Sequence, residues 1–451
     1  MHVVTIDLPE MGNRCHVVHD GSQALVIDPP RDLSVVERAA AEAEVDIAAV
    51  ADTHLHNDYV SGALGLARRH GADFLLSADE PVGFERVGVR DGDVVGVGGL
   101  DVRVIATPGH TRHHQSFLAL SRDAGDHPGA LFSGGSLLQG TVGRTDLLGD
   151  LLTRDLARAQ WASARTLGAL GPETRLHPTH GFGGFCASGS VEPGEGDATI
   201  GQQRAVNPAL LVDQEQFVEE LVAGFGPVPS YYEHMGPLNR AGAGRRLPLP
   251  AQPLTADEVQ TAMADGAWVV DLRGRGRFAE AHLAGTVSIE YSPQFATYVG
   301  WLAPWYGQLV VLTDRLADLA PALRDLAGIG IDSIGTHVLD PARPLPATYR
   351  RTDWTGFHAG DPGRVVVDVR ERDEFAAGHL PGAVHLPVHE IEQHRATLPP
   401  GELWVHCRSG YRAGIAASLL HRAGRSVVHV DDDWARLDEL AIPTTRGGIA
   451  A

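Results

Sequence analysis

Cysteine is scarce in this chain. Among 451 residues there are three, Cys15, Cys186 and Cys407. An odd, sparse set excludes a disulfide framework, fits a reducing cytoplasm and leaves the thiols for chemistry. Basic charge is also short. A formal charge of −20 argues against nucleic acid or an anionic membrane as partner, since both need a basic footprint. No hydrophobic run is long enough to span a bilayer. The opening MHVVTIDLPEMGNRC lacks the basic start and apolar stretch of a secretory signal. What remains is a cytoplasmic globular protein of ordinary composition, 43% hydrophobic and 21% charged, and too long for a single core. An isologous homodimer is the default assembly.

Histidine, by contrast, is plentiful, with 23 in the chain. The segment ADTHLHNDYVSG (51–62) follows an apolar stretch and places His54, His56 and Asp58 two residues apart. On an extended chain that spacing points all three the same way. Imidazole with carboxylate suits zinc or iron rather than calcium or magnesium. TPGHTRHHQSF (107–117) follows a strand pattern, and its Pro-Gly turn presents His110, with His113 or His114 as a supporting group. HPTHGFGGFC (177–186) brings His180 in a Gly-rich loop, with Cys186 six residues on and within reach of the same pocket.

Short strand patterns (24–30, 73–79, 101–110, 130–138) alternate with helical ones (Leu33–Glu44, Gly62–His70) over the first 185 residues, which indicates an α/β chain. Composition then shifts. GSVEPGEGD (189–197) reads as a loop and LNRAGAGRRLPLPAQPL (238–254) as a linker. Beyond them lies a repeat. Asp271, Arg273, Phe278, His282 and Gly285 recur as Asp368, Arg370, Phe375, His379 and Gly382 at a constant offset of 97, the mark of a duplicated domain.

Only the second copy carries a thiol. In LWVHCRSGYRAGIAASLLHRAG (403–424) an apolar strand runs into Cys407, and a tight loop leads to a helix. Loop N–H groups, the helix N-terminus and the charges of Arg408 and Arg412 all favour a thiolate able to take up a sulfane sulfur. Only four residues separate Cys407 from Arg412. A cysteine phosphatase loop is longer, to enclose a phosphate. The first copy has Thr313 near the equivalent place and cannot run the same covalent chemistry.

These motifs resemble two families. His54, His56, Asp58, His110 and His180 match the metallo-β-lactamase motif over 1–245, and GTVGRTDLL (140–148), with Arg144 and Asp146, is similar to the GRxD segment of its persulfide dioxygenase and glyoxalase II branch. Residues 350–451 resemble a rhodanese sulfurtransferase, and 253–345 a rhodanese-like copy without cysteine. The resemblance implies an αββα sandwich followed by two rhodanese-like α/β domains. Two departures stand out. Tyr59 stands where the motif has its final His, and Gly135 where the family has a metal-binding Asp. What remains implies one divalent metal, iron(II) favoured over zinc, held by His54, His56 and His110, with Asp58, Tyr59, His180, Cys186, Arg144 and Asp146 near metal or substrate. The implied activity is oxidation of a low-molecular-weight thiol persulfide to sulfite, with Cys407 exchanging sulfane sulfur with sulfite or thiosulfate. The alternatives are a glyoxalase II-like thioester hydrolase and a sulfurtransferase with a non-catalytic first domain. Restoring the acid by Gly135→Asp is expected to strengthen metal binding.

Overall fold

The computed structural model describes residues 1–123, 128–188, 198–242, 251–360 and 363–447. It divides into two compact units, Met1–Leu249 with Arg324–Ile331, and Pro250–Leu323 with Asp332–Ala451. Both repeats thus contribute to one unit.

In the first unit two six-stranded sheets lie face to face. One runs in chain order through His2–Leu8, Asn13–His19, Gln23–Ile27, Asp46–Ala51, Asp73–Ser77 and Val87–Val89. The other runs in reverse order from Ala198–Thr199 through Arg175–Pro178, Ala130–Gly134, Gln115–Ser121 and Leu100–Ala106 to Val94–Val97. The strand patterns read from sequence fall on these strands. Val18, Leu25, Ile27, Val102, Val104, Phe117 and Phe132 form the core between the sheets. Helices Ser34–Glu42 and Ala63–His70 bury Val36, Ala40, Leu64, Leu66 and Ala67 against the outer face of the first sheet. The long helix Asp150–Gly168 covers the second with Ala157, Ala164 and Leu167. This is the αββα arrangement that the resemblance implies.

The loop expected at 189–197 and residues 243–250 of the linker expected at 238–254 lie outside the described residues; 238–241 instead end a helix and 252–253 form a short strand. Between them the chain is helical, at Ile200–Val206, Pro208–Leu211, Gln214–Ala223 and Tyr232–Ala241. The capping box of Thr199 with Gln202 and the Asp213 cap start two of these helices.

The second unit holds two five-stranded sheets of one topology. The orders are Gln252–Pro253, Ile334–Val338, Leu309–Thr313, Trp268–Asp271, Val287–Ser288, and Arg350–Thr352, Val427–Val430, Leu403–His406, Val365–Asp368, Val384–His385. All their pairings are parallel. The repeated residues do the same work in both. Arg273 bonds Asp271 and Ala281 O, as Arg370 bonds Asp368 and Gly378 O. The rings of Phe278 and His282 stack at 4.0 Å, those of Phe375 and His379 at 3.8 Å.

Candidate functional site

The strand Asp46–Ala51 delivers the chain to an irregular loop that ends at the helix Ala63–His70. Because the loop is not extended, His54 and His56 turn to different partners. His54 joins His110 and His180, and one ring nitrogen from each lies within 4.8 Å of the other two. His56 instead faces Asp28, 3.2 Å from Nε2, and Asp52 at 3.9 Å. The set expected from sequence was His54, His56 and His110; the structure groups His54 and His110 with His180, and places His56 with Asp28 and Asp52. His56 and His180 also form a second group with Asp58.

Hydrogen bonds decide which nitrogen of each ring points inward. His110 Nδ1 lies 2.7 Å from the Arg144 carbonyl oxygen, which can only accept. His180 Nδ1 lies 2.9 Å from Asn13 Oδ1, another acceptor. His54 Nδ1 lies 2.9 Å from Thr53 Oγ1, whose own proton goes to Asp28 at 2.8 Å. All three Nδ1 atoms thus carry the proton and all three Nε2 lone pairs are left free. His54 Nε2 and His180 Nε2 are 3.3 Å apart, and His110 Nε2 is buried without a partner. The rings are at most 1% exposed. Burial first, then neighbouring imidazoles, holds His180 and His110 down to about 3 and His54 well below the ordinary value. The rings are neutral at neutral pH, the form that ligates a metal. Converging lone pairs on neutral, oriented imidazoles fit one divalent ion.

Around this trio the structure supplies parts that spacing did not reveal. Gln160 accepts from the His110 N–H at 2.8 Å and donates to the Gly135 and Ser136 carbonyls, tying the two loops together. Asn13 also donates to Asp58 at 2.6 Å. His114 is a buttress: it stacks on His54 at 4.9 Å, and its Nε2 accepts from the Gly135 N–H. Tyr59 is buried, packs its ring tilted against His56 at 4.3 Å and donates to the Asp28 carbonyl.

Gly135 behaves differently from expectation. A Cβ there would lie 2.3 Å from Cδ2 and 2.6 Å from Cγ of His110. The imidazole fills the space that an acidic side chain would need. Gly135→Asp is therefore expected to destabilise the protein by about 1–3 kcal/mol and to weaken metal binding, the reverse of the sequence expectation. Urea unfolding and zinc titration of the variant check this. A stable, tighter-binding variant would contradict it.

Arg144 and Asp146 form a buried two-point pair at 2.7 Å, and Arg144 also donates to the Gly226 carbonyl. With its donors so engaged, this guanidinium holds the loop whose carbonyl orients His110 and is not free for substrate. Cys186 is buried beside Asp58 and Tyr232. Burial first, then the Asp58 charge, pushes its thiol well up.

In the second unit Cys407 lies between the strand Leu403–His406 and the helix Tyr411–Arg422, which no side chain caps. The first N–H groups of such a helix lack intrahelical partners and favour an anion. Arg412, whose charge was expected to favour a thiolate, is held by Glu374 through bonds of 2.6 and 2.8 Å. Burial alone would raise Glu374, but Arg412 outweighs it and holds the carboxyl below its ordinary value. Arg408 is exposed, and its carbonyl accepts from the Trp434 N–H. Arg370 lies 3.6 Å over the Trp434 ring. In the first copy the corresponding turn has Thr313 Oγ1 accepting from the Arg315 N–H, and Asp314 paired with Arg277. An acid stands there where the second copy has an anion cradle.

Asp431 is likewise raised by burial and lowered further by Arg275 and Arg351. For Glu374 and Asp431 the folded value lies below the unfolded one. Their stabilisation is complete above the ordinary carboxylate range and is lost as pH falls through and below it. The urea midpoint of this unit is expected to drop steadily from pH 6 to pH 3. Tryptophan fluorescence reads it, since six of seven tryptophans lie here. A flat midpoint would contradict the two ion pairs.

Comparison with known proteins agrees with both halves. The rhodanese-like domain family matches residues 354–438. The chain is 29% identical over 245 residues to a hydroxyacylglutathione hydrolase of Cupriavidus taiwanensis, covering 48% of this chain and 88% of that one. It is 34% identical over 161 residues to the human hydroxyacylglutathione hydrolase-like protein, covering 35% of this chain and 51% of the relative. A metallo-beta-lactamase structure from Staphylococcus aureus superimposes with a TM-score of 0.66 at 25% identity, over 75% of this chain and 99% of the other. The chain thus has a metallo-β-lactamase-like N-terminal region and a C-terminal rhodanese domain, and it is an enzyme of that combined type. Among the described residues no helix is long and apolar enough to cross a membrane.

Proposed function

We propose that this chain is a sulfur-metabolism enzyme with two centres. In the first unit His54, His110 and His180 hold one divalent metal, iron(II) in the working form, at which a low-molecular-weight thiol persulfide is oxidised. In the second unit Cys407 carries sulfane sulfur. Residues 350–451 act as the sulfurtransferase domain, and 253–345 as a rhodanese-like copy without a nucleophile.

The carrying observation is the trio of inward Nε2 lone pairs without a carboxylate at position 135. It supports a single ion, because the Asp that would bridge to a second one has no room. A divalent ion held there would supply the activation of oxygen toward a sulfur donor. The protein's share is orientation. Thr53, Arg144 O and Asn13 fix the ligand tautomers, and the burial of the three rings keeps bulk water from them. Overall, a persulfide, oxygen and water give the thiol and sulfite. At Cys407 the thiolate attacks the outer sulfur of thiosulfate, the S–S bond breaks, and sulfite leaves with the electron pair. The Cys407 persulfide then passes its terminal sulfur to a nucleophilic acceptor and the thiolate returns.

Oxygen uptake with glutathione persulfide on iron-loaded protein tests the first centre, and uptake is expected. A second reading, a thioesterase acting on a hydroxyacyl-glutathione, is favoured by the names of the relatives. Turnover of lactoylglutathione without oxygen consumption would establish it and remove the dioxygenase.

A further inference from the structure

The cysteine-free copy does more than duplicate a fold. Its Arg275, at the start of the helix Arg275–Glu280, reaches the loop that bears Cys407. Nε donates to Asp431 Oδ1 at 2.7 Å, Nη2 to the Ser409 carbonyl at 3.3 Å, and Nη1 to Glu290 at 2.7 Å. Asp431 in turn lies directly against the loop. Gly410 has φ 85°, and a Cβ there would meet Asp431 Oδ1 at 2.0 Å. Arg351 binds the other Asp431 oxygen at 2.8 Å. A second carbonyl, that of Gly410, is engaged by His429 Nε2 at 2.9 Å.

We infer that Arg275 is a positioning residue for sulfur transfer, a clamp lent by the inert copy to the loop of the active one. The peptide between Ser409 and Gly410 is planar, with C=O and N–H opposed. Fixing the Ser409 oxygen on Arg275 therefore fixes the direction of the Gly410 N–H, one of the donors of the anion cradle. The same guanidinium shares with Arg351 the pairing of Asp431, the acid packed against the Cys407 loop. The pair is asymmetric between copies. Arg372, 97 residues on, bonds Glu390 within its own copy. Two further contacts across the copies secure the start of the helix after the loop. Tyr411 OH donates to the Glu290 carbonyl at 3.1 Å and accepts from Ser292 Oγ at 3.0 Å.

The inference rests on Cys407 as the sulfur carrier, so its test has one readout independent of that activity. In full-length Arg275→Met, kcat for thiosulfate-to-cyanide sulfur transfer is expected to fall about 10- to 100-fold through loop misplacement, with KM for thiosulfate little changed. The rate of iodoacetamide alkylation at Cys407, read by peptide mass spectrometry at pH 7, is expected to fall as well. Arg372→Met is the matched control and is expected to leave both at the wild-type level. Wild-type kcat and alkylation in a folded Arg275→Met overturn the clamp. Should that variant not fold, Arg275→Lys decides. It keeps the charge beside Asp431 but cannot also reach the Ser409 carbonyl, so wild-type behaviour there overturns the clamp equally. Absence of sulfur transfer in the wild-type protein would remove the carrier reading alone, and the alkylation comparison would still judge the clamp.

Discussion

Cys407→Ser is expected to lower sulfur transfer to below about one-thousandth of the wild-type kcat, as for loss of a covalent nucleophile, while oxygen uptake with a thiol persulfide persists. The hydroxyl is a poor nucleophile at neutral pH, and the cradle cannot ionise it. Thiocyanate formation and an oxygen electrode read the two activities on one preparation. Loss of both would contradict two separate centres. Persistence of transfer would point to another thiol, but burial holds Cys15 and Cys186 protonated. The remaining partners of Cys407 act on position and not on bonds. Arg412 already spends its charge on Glu374, so its substitution should cost stability in this unit as much as turnover.

Comparable in size is the expected difference between two histidines of the first unit. His180→Ala removes one of three converging lone pairs and is expected to weaken zinc or iron(II) binding by more than about 100-fold, beyond the loss seen for a merely supporting group. The fold should change less than in the second variant, because Asn13 and Asp58 keep their own bond to each other when the His180 ring is removed. His56→Ala is expected to do the opposite. It strips the partner from buried Asp28, leaving a carboxylate that costs about 3–5 kcal/mol unpaired, and it touches metal affinity less. Metal titration alongside urea unfolding separates the two outcomes. Strong metal loss in His56→Ala with unchanged stability would restore the ligand set read from sequence.

The contrast marks where linear reading stops. The two periodicities of strand and helix, the repeat with its 97-residue offset and the loop from Cys407 to Arg412 are local patterns. Local chemistry sets them, so the α/β class was legible from the patterns themselves, and the αββα sandwich and the rhodanese domain from the family resemblance that the motifs carry. The helices of 200–241 were less so, because Pro, Gly and short lengths blur their period. Their caps at Thr199 and Asp213 were the available signal.

The site belongs to the other category. Spacing placed His54, His56 and Asp58 on one side of a strand, but the loop is irregular, and tertiary hydrogen bonds choose each ring's direction. Asn13 and Asp28 act on rings 167 and 28 residues away, and Gln160 holds His110 from 50 residues off. A missing acid at 135 reads as a vacancy on paper. In three dimensions the His110 ring fills it. The sequence by itself determined the elements and the reactive side chains, since these follow from neighbours along the chain. Which donors converge, and which charges are already cancelled, was decided only by packing, because long-range partners compete for each polar atom.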